Sequence, residues 1–270
     1  MIIVSVLTAI SLPVLVRIRR QARTMVGISN QRQVVNGVTL YALDHDYRYP
    51  ESVATIGSNW NWSWQAPFVL TTIESPAPHL HRAMSEYLGS YIADASVMYC
   101  PNAPKEYKYL QQAWDAGDEW SNPETWYKDD WVKGVYCFYW NYTGLLEQRL
   151  LFKGPRNLLG GRGQSKLLVS CYLGYDHWRS PEAYGSCQRF NGAGVTPEEI
   201  ASSAYWSRLQ SEDFGLHSID TKLYAGYTDG RVESYYTSQV AVMKVIKDRF
   251  DNEPYSYGPG DFYLPKSGLR

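Results

Sequence analysis

The stretch "MIIVSVLTAISLPVLVRIRRQARTMVGISNQRQVVNGVTLYALD" (residues 1–44) decides the fold, because it holds no strong turn signal and favours one long helix. Its first sixteen residues carry no charge, and four arginines follow within seven positions: Arg17, Arg19, Arg20 and Arg23. Its second half places apolar side chains mostly at helical spacings: Ala22, Val26, Val34, Val38 and Tyr41. We therefore predict a helix that is apolar all round at first and amphipathic afterwards.

The apolar run at the start of this helix is short for a membrane span. Sixteen residues reach about 24 Å in a helix, whereas a hydrocarbon core is about 30 Å thick. The arginines follow the run, whereas a cleavable secretory signal places its positive charges before it. Pro13 lacks an amide hydrogen, so we expect a kink near it. The residues predicted to form an anchor and assembly surface are Ile2, Ile3, Val4, Val6, Leu7, Ile10, Leu12, Pro13, Leu15 and Val16.

Composition limits the classes of partner. The chain has 270 residues and a formal charge of −1, which gives no general reason to expect nucleic acid, whose binders usually present a basic face. The 23 Tyr and 10 Trp outnumber the 7 Phe, so most rings also carry a polar group. Such rings suit strand packing, and they also suit a sugar-binding surface. Trp-rich loops between residues 59 and 131 are the place where a glycan could bind.

No pattern for catalysis or metal binding stands out along the sequence. The five His lack the HExxH spacing of a zinc helix, and "DHD" at 44–46 lacks the spaced acidic loop of an EF-hand. No Ser lies in a GxSxG elbow. We therefore expect no metal, no cofactor and no catalytic residue, and the chain is not predicted to be an enzyme.

The strongest strand signal surrounds Asp229-Gly230, a dipeptide suited to a tight hairpin turn. We predict that its two strands join a sheet containing "VYCFYW" (135–140) and "KLLVSCYL" (166–173), and that this sheet packs on the Val26 to Tyr41 face of the helix. A short helix is predicted in "HLHRAMSEYLGSYI" and stops near Gly89. For the remaining segments we predict a strand at 96–101, a long loop up to residue 133, a short helix at 238–250 and an irregular tail at 252–270.

The four Cys are too sparse in a chain of this length to indicate a disulfide framework. Outside the cytoplasm, Cys171 and Cys187 would close a short loop worth about 3 kcal/mol. Four half-buried thiols are the alternative.

Three parts of the chain together resemble prepilin-like proteins of the type IV pilin and type II secretion pseudopilin family. The first is residues 2–52, with the interior proline, the basic turn and "NQRQVVNGVTLYALDHDYRYP". The second is Cys100-Pro101 followed by "YCFYWN". The third is "HSIDTKLYAGYTDGRVESY", which resembles a C-terminal motif of His, about nine residues and Asp-Gly; here His217 and Asp229 enclose eleven. The chain is similar in particular to large paralogues of planctomycete and verrucomicrobial bacteria.

The resemblance implies an α+β, pilin-like fold in which a long N-terminal helix packs on an antiparallel sheet head with extended loops. Residues 1–44 would anchor the chain and form a filament core, and residues 45–270 would form a periplasmic or extracellular head. The family's basic leader, Gly-Phe cleavage point and following Glu have no counterpart here. Aligning Pro13 with the helix proline predicts that the leader and roughly nine mature residues are missing, which would lengthen the apolar run to about 25 residues.

The function implied is that of a structural subunit, a pseudopilin or minor pilin. Its partners would be the inner membrane, which it crosses once, and like subunits or other pseudopilins, contacted through the helix. His217, Asp229 and Gly230 would belong to the family's C-terminal hairpin. The alternative is a membrane-tethered extracytoplasmic binding protein that uses its aromatic loops, with a glycan as the candidate ligand.

Overall fold

The predicted N-terminal helix is observed as α1, Ile2–Asp44. It belongs to a computed structural model that describes residues 2–56, 63–72, 80–103, 107–124, 131–146, 150–175, 222–246 and 261–269. The helix continues through Pro13. It ends where Asp46 and Tyr47 adopt positive φ angles of 51° and 62°, a backbone conformation that a right-handed helix cannot continue.

Two shorter helices lie in the head, α2 (Met84–Leu88) and α3 (Leu110–Ala116). Helix α2 ends at Gly89, as predicted. Two other assignments were wrong. Ala95–Met98, of which residues 96–98 were predicted as part of a strand, forms a 3-10 turn in which the Ser96 amide donates to the Asp94 carboxylate, and α3 lies within the predicted long loop. The sequence pattern missed α3 because a helix of seven residues makes only about two turns, which is too short for a clear helical periodicity of its apolar residues.

The described strands are short and all their pairings are antiparallel. They are β1 (Thr55–Ile56), β2 (Ser63–Trp64), β3 (Val69–Thr71), β4 (Val132–Lys133), β5 (Tyr136–Phe138), β6 (Thr143–Leu146), β7 (Leu151–Lys153), β8 (Leu167–Cys171), β9 (Gly174–Tyr175), β10 (Lys222–Tyr227), β11 (Val232–Tyr236), β12 (Val240–Lys244) and β13 (Asp261–Pro265). A helix with antiparallel sheets makes the chain α+β, as expected from its sequence.

The four-stranded sheet has the order β11-β10-β8-β5. Its β10–β11 hairpin turns at Asp229-Gly230, where Gly230 has φ +83° and its amide donates to the carbonyl of Tyr227 at 3.0 Å. The predicted partners are confirmed, since β5 and β8 lie in "VYCFYW" and "KLLVSCYL". Helix α1 packs against β8, β10 and β11 of this sheet.

The five-stranded sheet has the order β7-β6-β12-β13-β9 and corrects two predictions. The segment 238–250 was predicted to be a helix, but Val240–Lys244 is strand β12. The tail was predicted to be irregular, but Asp261–Pro265 is strand β13. The two strands pair along five residues, and β12 also pairs with β6. Short apolar runs fit both periodicities, and partners distant in sequence select the strand.

One face of α1, the docked face, is buried in the head. Its members recur at spacings of three and four, and they are Gly27, Asn30, Gln31, Val34, Val35, Gly37, Val38 and Ala42. The predicted face is correct from Val34 onward. Ala22 and Val26, however, are exposed, because the head buries this face of the helix only from Gly27 onward and reaches it earlier at Thr24, whose hydroxyl accepts a hydrogen bond from Asn102 Nδ2 at 2.9 Å.

Tyrosine fills much of the core on the β5 side of the head. Tyr136, Tyr139 and Tyr142 are at most 1 % exposed. The Tyr136 hydroxyl donates to the Gly27 carbonyl at 3.2 Å, and that of Tyr142 donates to the Gln65 carbonyl at 2.8 Å. The abundance of Tyr over Phe therefore serves the interior, where the hydroxyls of Tyr136 and Tyr142 satisfy buried carbonyl acceptors.

These tyrosines predict a loss of stability in alkali. Burial raises the pKa of Tyr136, Tyr139 and Tyr142 well above 10, so at high pH the unfolded chain loses protons that the folded chain retains. We expect the free energy of unfolding to be insensitive to these groups below pH 10 and to fall steadily above it. Urea unfolding measured from pH 8 to pH 11.5 tests this. A free energy that stays constant above pH 10 would contradict it.

Candidate functional site

The first candidate site is the part of α1 outside the head, the projecting segment (residues 11–26). Every side chain from Ser11 to Arg19 is exposed. Its apolar members have exposed fractions of 52 to 67 %: Leu12, Val14, Leu15, Val16 and Ile18, with Met25 at 64 % nearer the head. Ile2, Ile3, Val4, Val6, Leu7 and Ile10 are helical in their backbone, and their side chains lie outside the described part. An exposed apolar surface of this extent marks a place of interaction.

Arginines occupy the same segment. Arg17, Arg19 and Arg23 are exposed and Arg20 is half-buried, so the apolar surface is interrupted by positive charge over two turns. Within the described part of the chain, no helix combines the length and the apolar character that crossing a membrane requires.

The helix enters the head at Gly27, against Cys100 and Tyr136. A Cβ at Gly27 would lie 3.0 Å from the Cys100 sulfur, tighter than an ordinary contact, so a larger residue would push the helix away. The Tyr136 hydroxyl donates to the carbonyl of Gly27 from the same side. Burial raises the pKa of the Cys100 thiol to about 11, which keeps it protonated and unreactive.

Two polar side chains of the docked face then fix the rotation of α1 about its axis and its position along that axis. Asn30 Nδ2 donates to the carbonyls of Tyr99 at 2.7 Å and Ser96 at 3.2 Å. Gln31 is fully buried, and its Nε2 donates to the Tyr224 carbonyl at 3.2 Å. Because these acceptors are main-chain atoms of the head, one register of the helix satisfies both NH₂ groups, while Gln31 Oε1 is buried without a partner among the described residues. The direction in which the projecting segment leaves the head is thereby set.

Cys171 lies on β8 beneath Gln31. It is disulfide-bonded, and its sulfur accepts hydrogen bonds from Gln31 Nε2 at 3.3 Å and from the Tyr224 amide at 3.4 Å. Cys187, the expected partner, lies outside the described residues, so the pairing stays a prediction. Cys137 is a fully buried thiol whose pKa burial raises far above its usual value.

The predicted hairpin is present around Asp229 and Gly230, but His217, the third residue of the predicted motif, lies outside the described residues. At the turn, Arg231 forms ion pairs with Asp229 at 3.1 Å and Glu233 at 3.0 Å and stacks over the Tyr227 ring at 4.5 Å. These pairs are solvent-exposed, so each contributes about 0–1 kcal/mol. The residues act here as a stable surface turn.

Most Trp side chains of the predicted glycan-binding loops lie outside the described part of the chain, so that binding surface stays a prediction. Trp114 and Trp120 are 6 % and 7 % exposed, and the Trp114 ring nitrogen donates to the Ile92 carbonyl at 3.0 Å. Trp140, after the predicted loops, is also buried. Trp60 and Trp62 lie outside the described residues, as does the side chain of Trp64. Trp114, Trp120 and Trp140 therefore serve the core, whereas Trp131 is half-buried.

A second candidate site joins α2 to the turn after α3, in the cluster of His81, Glu86 and Asp118. The three ligand atoms lie within 4.8 Å of one another. His81 Nδ1 is 2.6 Å from Asp118 Oδ2. The Asp118 amide donates to Glu86 Oε1 at 3.0 Å. Gly117 permits this approach, since it has φ +56° and a Cβ there would collide with Glu86.

No protein-family model, no curated protein and no solved structure matches this chain. The residues and contacts described above are therefore the basis for assigning a function.

Sequence spacing missed the His81 cluster for a physical reason. Metal patterns on one helix place their ligands three or four positions apart, whereas Asp118 follows Glu86 by thirty-two residues. Only packing of α2 against the turn at Gly117–Glu119 brings the two together. The expectation of no metal was drawn from spacing along the chain, so it did not consider a site built from two segments.

Proposed function

We propose that the chain is a structural pilin-like subunit, a pseudopilin or minor pilin, anchored in the inner membrane through α1 with its head in the periplasm or at the cell surface. It assembles with like subunits into a type II secretion or type IV pilus-like filament. The observation that supports this is the division of α1 into a docked face and an apolar projecting segment within one uninterrupted helix. The sequence resemblance of residues 2–52 to the prepilin helix adds to it.

The exposed apolar side chains of the projecting segment contribute a favourable free energy only when another surface buries them. Fully burying one Val, Leu or Ile side chain contributes about 1.5–3 kcal/mol. Five such side chains that are slightly more than half exposed therefore leave on the order of 5 kcal/mol to be gained. A bilayer, or the same segment of neighbouring subunits, supplies an apolar environment on every side of the helix, which matches the exposure of every side chain from Ser11 to Arg19.

The head is suited to a structural role by the rigidity of its junction with the helix. Asn30, Gln31 and Gly27 are each held by main-chain or aromatic groups of the head. A subunit whose helix leaves the head in one fixed direction presents the same surface in every copy, and a repeating assembly needs that property.

The proposal predicts that membrane association depends on the projecting segment. In cells that produce the protein from its complete gene, we expect the wild type to fractionate with the inner membrane and to resist extraction by concentrated salt. In the double variant Leu15→Asp/Val16→Asp the fraction extracted by salt should rise severalfold, because each Asp in the membrane part of a helix opposes insertion, by up to roughly 3 kcal/mol at the helix centre. The measurement is immunoblotting of sedimented and soluble fractions.

A matched control separates anchoring from added charge. Leu150 and Leu159 are 60 % and 83 % exposed on the head, so Leu150→Asp/Leu159→Asp adds the same charge elsewhere and should leave fractionation unchanged. Single Cys replacements at Val14 and at Leu159 test assembly, since only the first should give disulfide-linked dimers on mild oxidation. If the Leu15→Asp/Val16→Asp protein stays in the membrane, or if Val14→Cys does not cross-link, the subunit proposal fails.

A further inference from the structure

We infer that His81, Glu86 and Asp118 form a binding site for a divalent metal ion of the Zn²⁺ class. One imidazole nitrogen and two carboxylate groups converge from both sides of the α2 contact, with ligand atoms within 4.8 Å of one another. His81 Nδ1 and Asp118 Oδ2 are already 2.6 Å apart. Two ligands of one Zn²⁺ ion, each about 2.0–2.2 Å from the metal, lie about 3.4 Å apart in a tetrahedron. Insertion of the ion would therefore need small movements.

Each carboxylate is oriented by a main-chain amide, as ligands of protein metal sites usually are. The Ala83 amide donates to Asp118 Oδ1 at 2.9 Å, which leaves Oδ2 directed at His81. The Asp118 amide donates to Glu86 Oε1 at 3.0 Å. These two bonds hold the acceptor groups on the same side of the contact before any ion is bound.

The His81 ring is held as well. It packs edge-on against Tyr87, with ring centroids 4.9 Å apart, and the His81 amide donates to the Tyr87 hydroxyl at 3.0 Å. The ring has little freedom to turn Nδ1 away from Asp118.

The chemistry of the ligand set selects the class of ion. Imidazole nitrogen suits Zn²⁺ and its neighbours in the first transition series, whereas Mg²⁺ and Ca²⁺ prefer oxygen alone. Two carboxylates and a neutral imidazole balance the charge of one divalent ion. Three protein ligands also leave a fourth tetrahedral position for water. Glu86 is exposed and Asp118 is half-buried, so the side-chain rotation that completes the site requires no change in the core.

Zinc binding to the purified full chain in detergent tests the site directly. After treatment with a chelator, titration with ZnCl₂ in a calorimeter should show one site per chain. His81→Ala and Glu86→Gln should each weaken the affinity at least tenfold, and a tenfold excess of Mg²⁺ should not compete. The melting temperature of the wild type should rise when Zn²⁺ is added, because the ion binds the folded state and links two segments of it.

Two controls distinguish this site from scattered surface binding. His45→Ala removes an exposed histidine in the turn directly after α1, between Asp44 and Asp46, and Glu119→Gln removes the acid next to Asp118; both should bind Zn²⁺ as the wild type does. Circular dichroism confirms the fold of each variant. The inference is overturned if the wild type binds no zinc at one equivalent, or if folded His81→Ala binds it with unchanged affinity.

Discussion

Val38→Asp is expected to abolish cooperative folding of the head at 37 °C. Val38 lies on the docked face of α1 and is 0 % exposed, so the new carboxylate would be buried among apolar side chains with no cation to pair with. Such burial costs several kcal/mol even after the surroundings relax. A domain is stable by only about 5–15 kcal/mol, so this one change removes much or all of the margin. Thermal unfolding followed by circular dichroism measures the result.

Leu40→Asp provides a closely matched comparison, two residues further along the same helix. Leu40 is 49 % exposed, and an Asp at either position carries a similar loss of helix propensity. Its free energy of unfolding should therefore change by no more than about 0.5 kcal/mol beyond that loss. If the two variants were equally stable, α1 could not be packed on the sheet by the face described.

Gly226→Ala is expected to loosen the contact between α1 and the four-stranded sheet. A Cβ at Gly226 would lie 2.6 Å from Val35 Cγ2 and 2.9 Å from Val169 Cγ1, and real Cβ contacts are essentially never that short. The helix or the strand must move, and overpacking of this kind costs about 1–3 kcal/mol. Urea denaturation should show a lower midpoint with an unchanged slope.

A smaller side chain at position 35 tests whether Val35 is the group that the new methyl group at position 226 meets. Val35→Ala makes room for the added methyl group, so the double variant with Gly226→Ala should be destabilised by less than the sum of the single changes. We expect a coupling of at least about 0.5 kcal/mol, and a rescue that stays incomplete because Val169 is unchanged. Simple additivity would mean that Val35 and Gly226 do not touch in solution.

Strong local signals in the sequence predicted the elements that form through local interactions. Helix α1 is encoded by a long stretch without turn residues, and the β10–β11 hairpin by Asp229-Gly230, since only a residue without Cβ adopts the positive φ there at no cost. The end of α2 at Gly89 was also predicted from its local sequence. In each case the information lies within a few neighbouring residues.

Elements that depend on distant partners were predicted poorly. The segment with Val240 and Met243 has apolar residues at helical spacing, yet it forms β12 because β13 and β6 flank it. The docked face was placed too early for a similar reason. Ala22 and Val26 suit burial by their chemistry, but the head buries the helix face only from Gly27 onward, where a small residue admits Cys100.

The two candidate sites also differ in whether local sequence or distant contacts determine them. The apolar character of the projecting segment is visible in the sequence, and its exposure is a property of the fold. The cluster of His81, Glu86 and Asp118 had no signal along the chain, because two segments far apart in sequence supply it. Sites of that kind are found from three-dimensional contacts.

The continuity of α1 between Ile2 and Asp44 has a mechanical consequence. Tension applied to the apolar end is delivered along one continuous helix to Val34, Val35 and Val38, which are core residues of the head. No loop lies between the point of pulling and the core, so no slack can be taken up before the core itself bears the load. A pulled subunit would hold rigidly up to the force at which the helix tears from the sheet, and then fail at once.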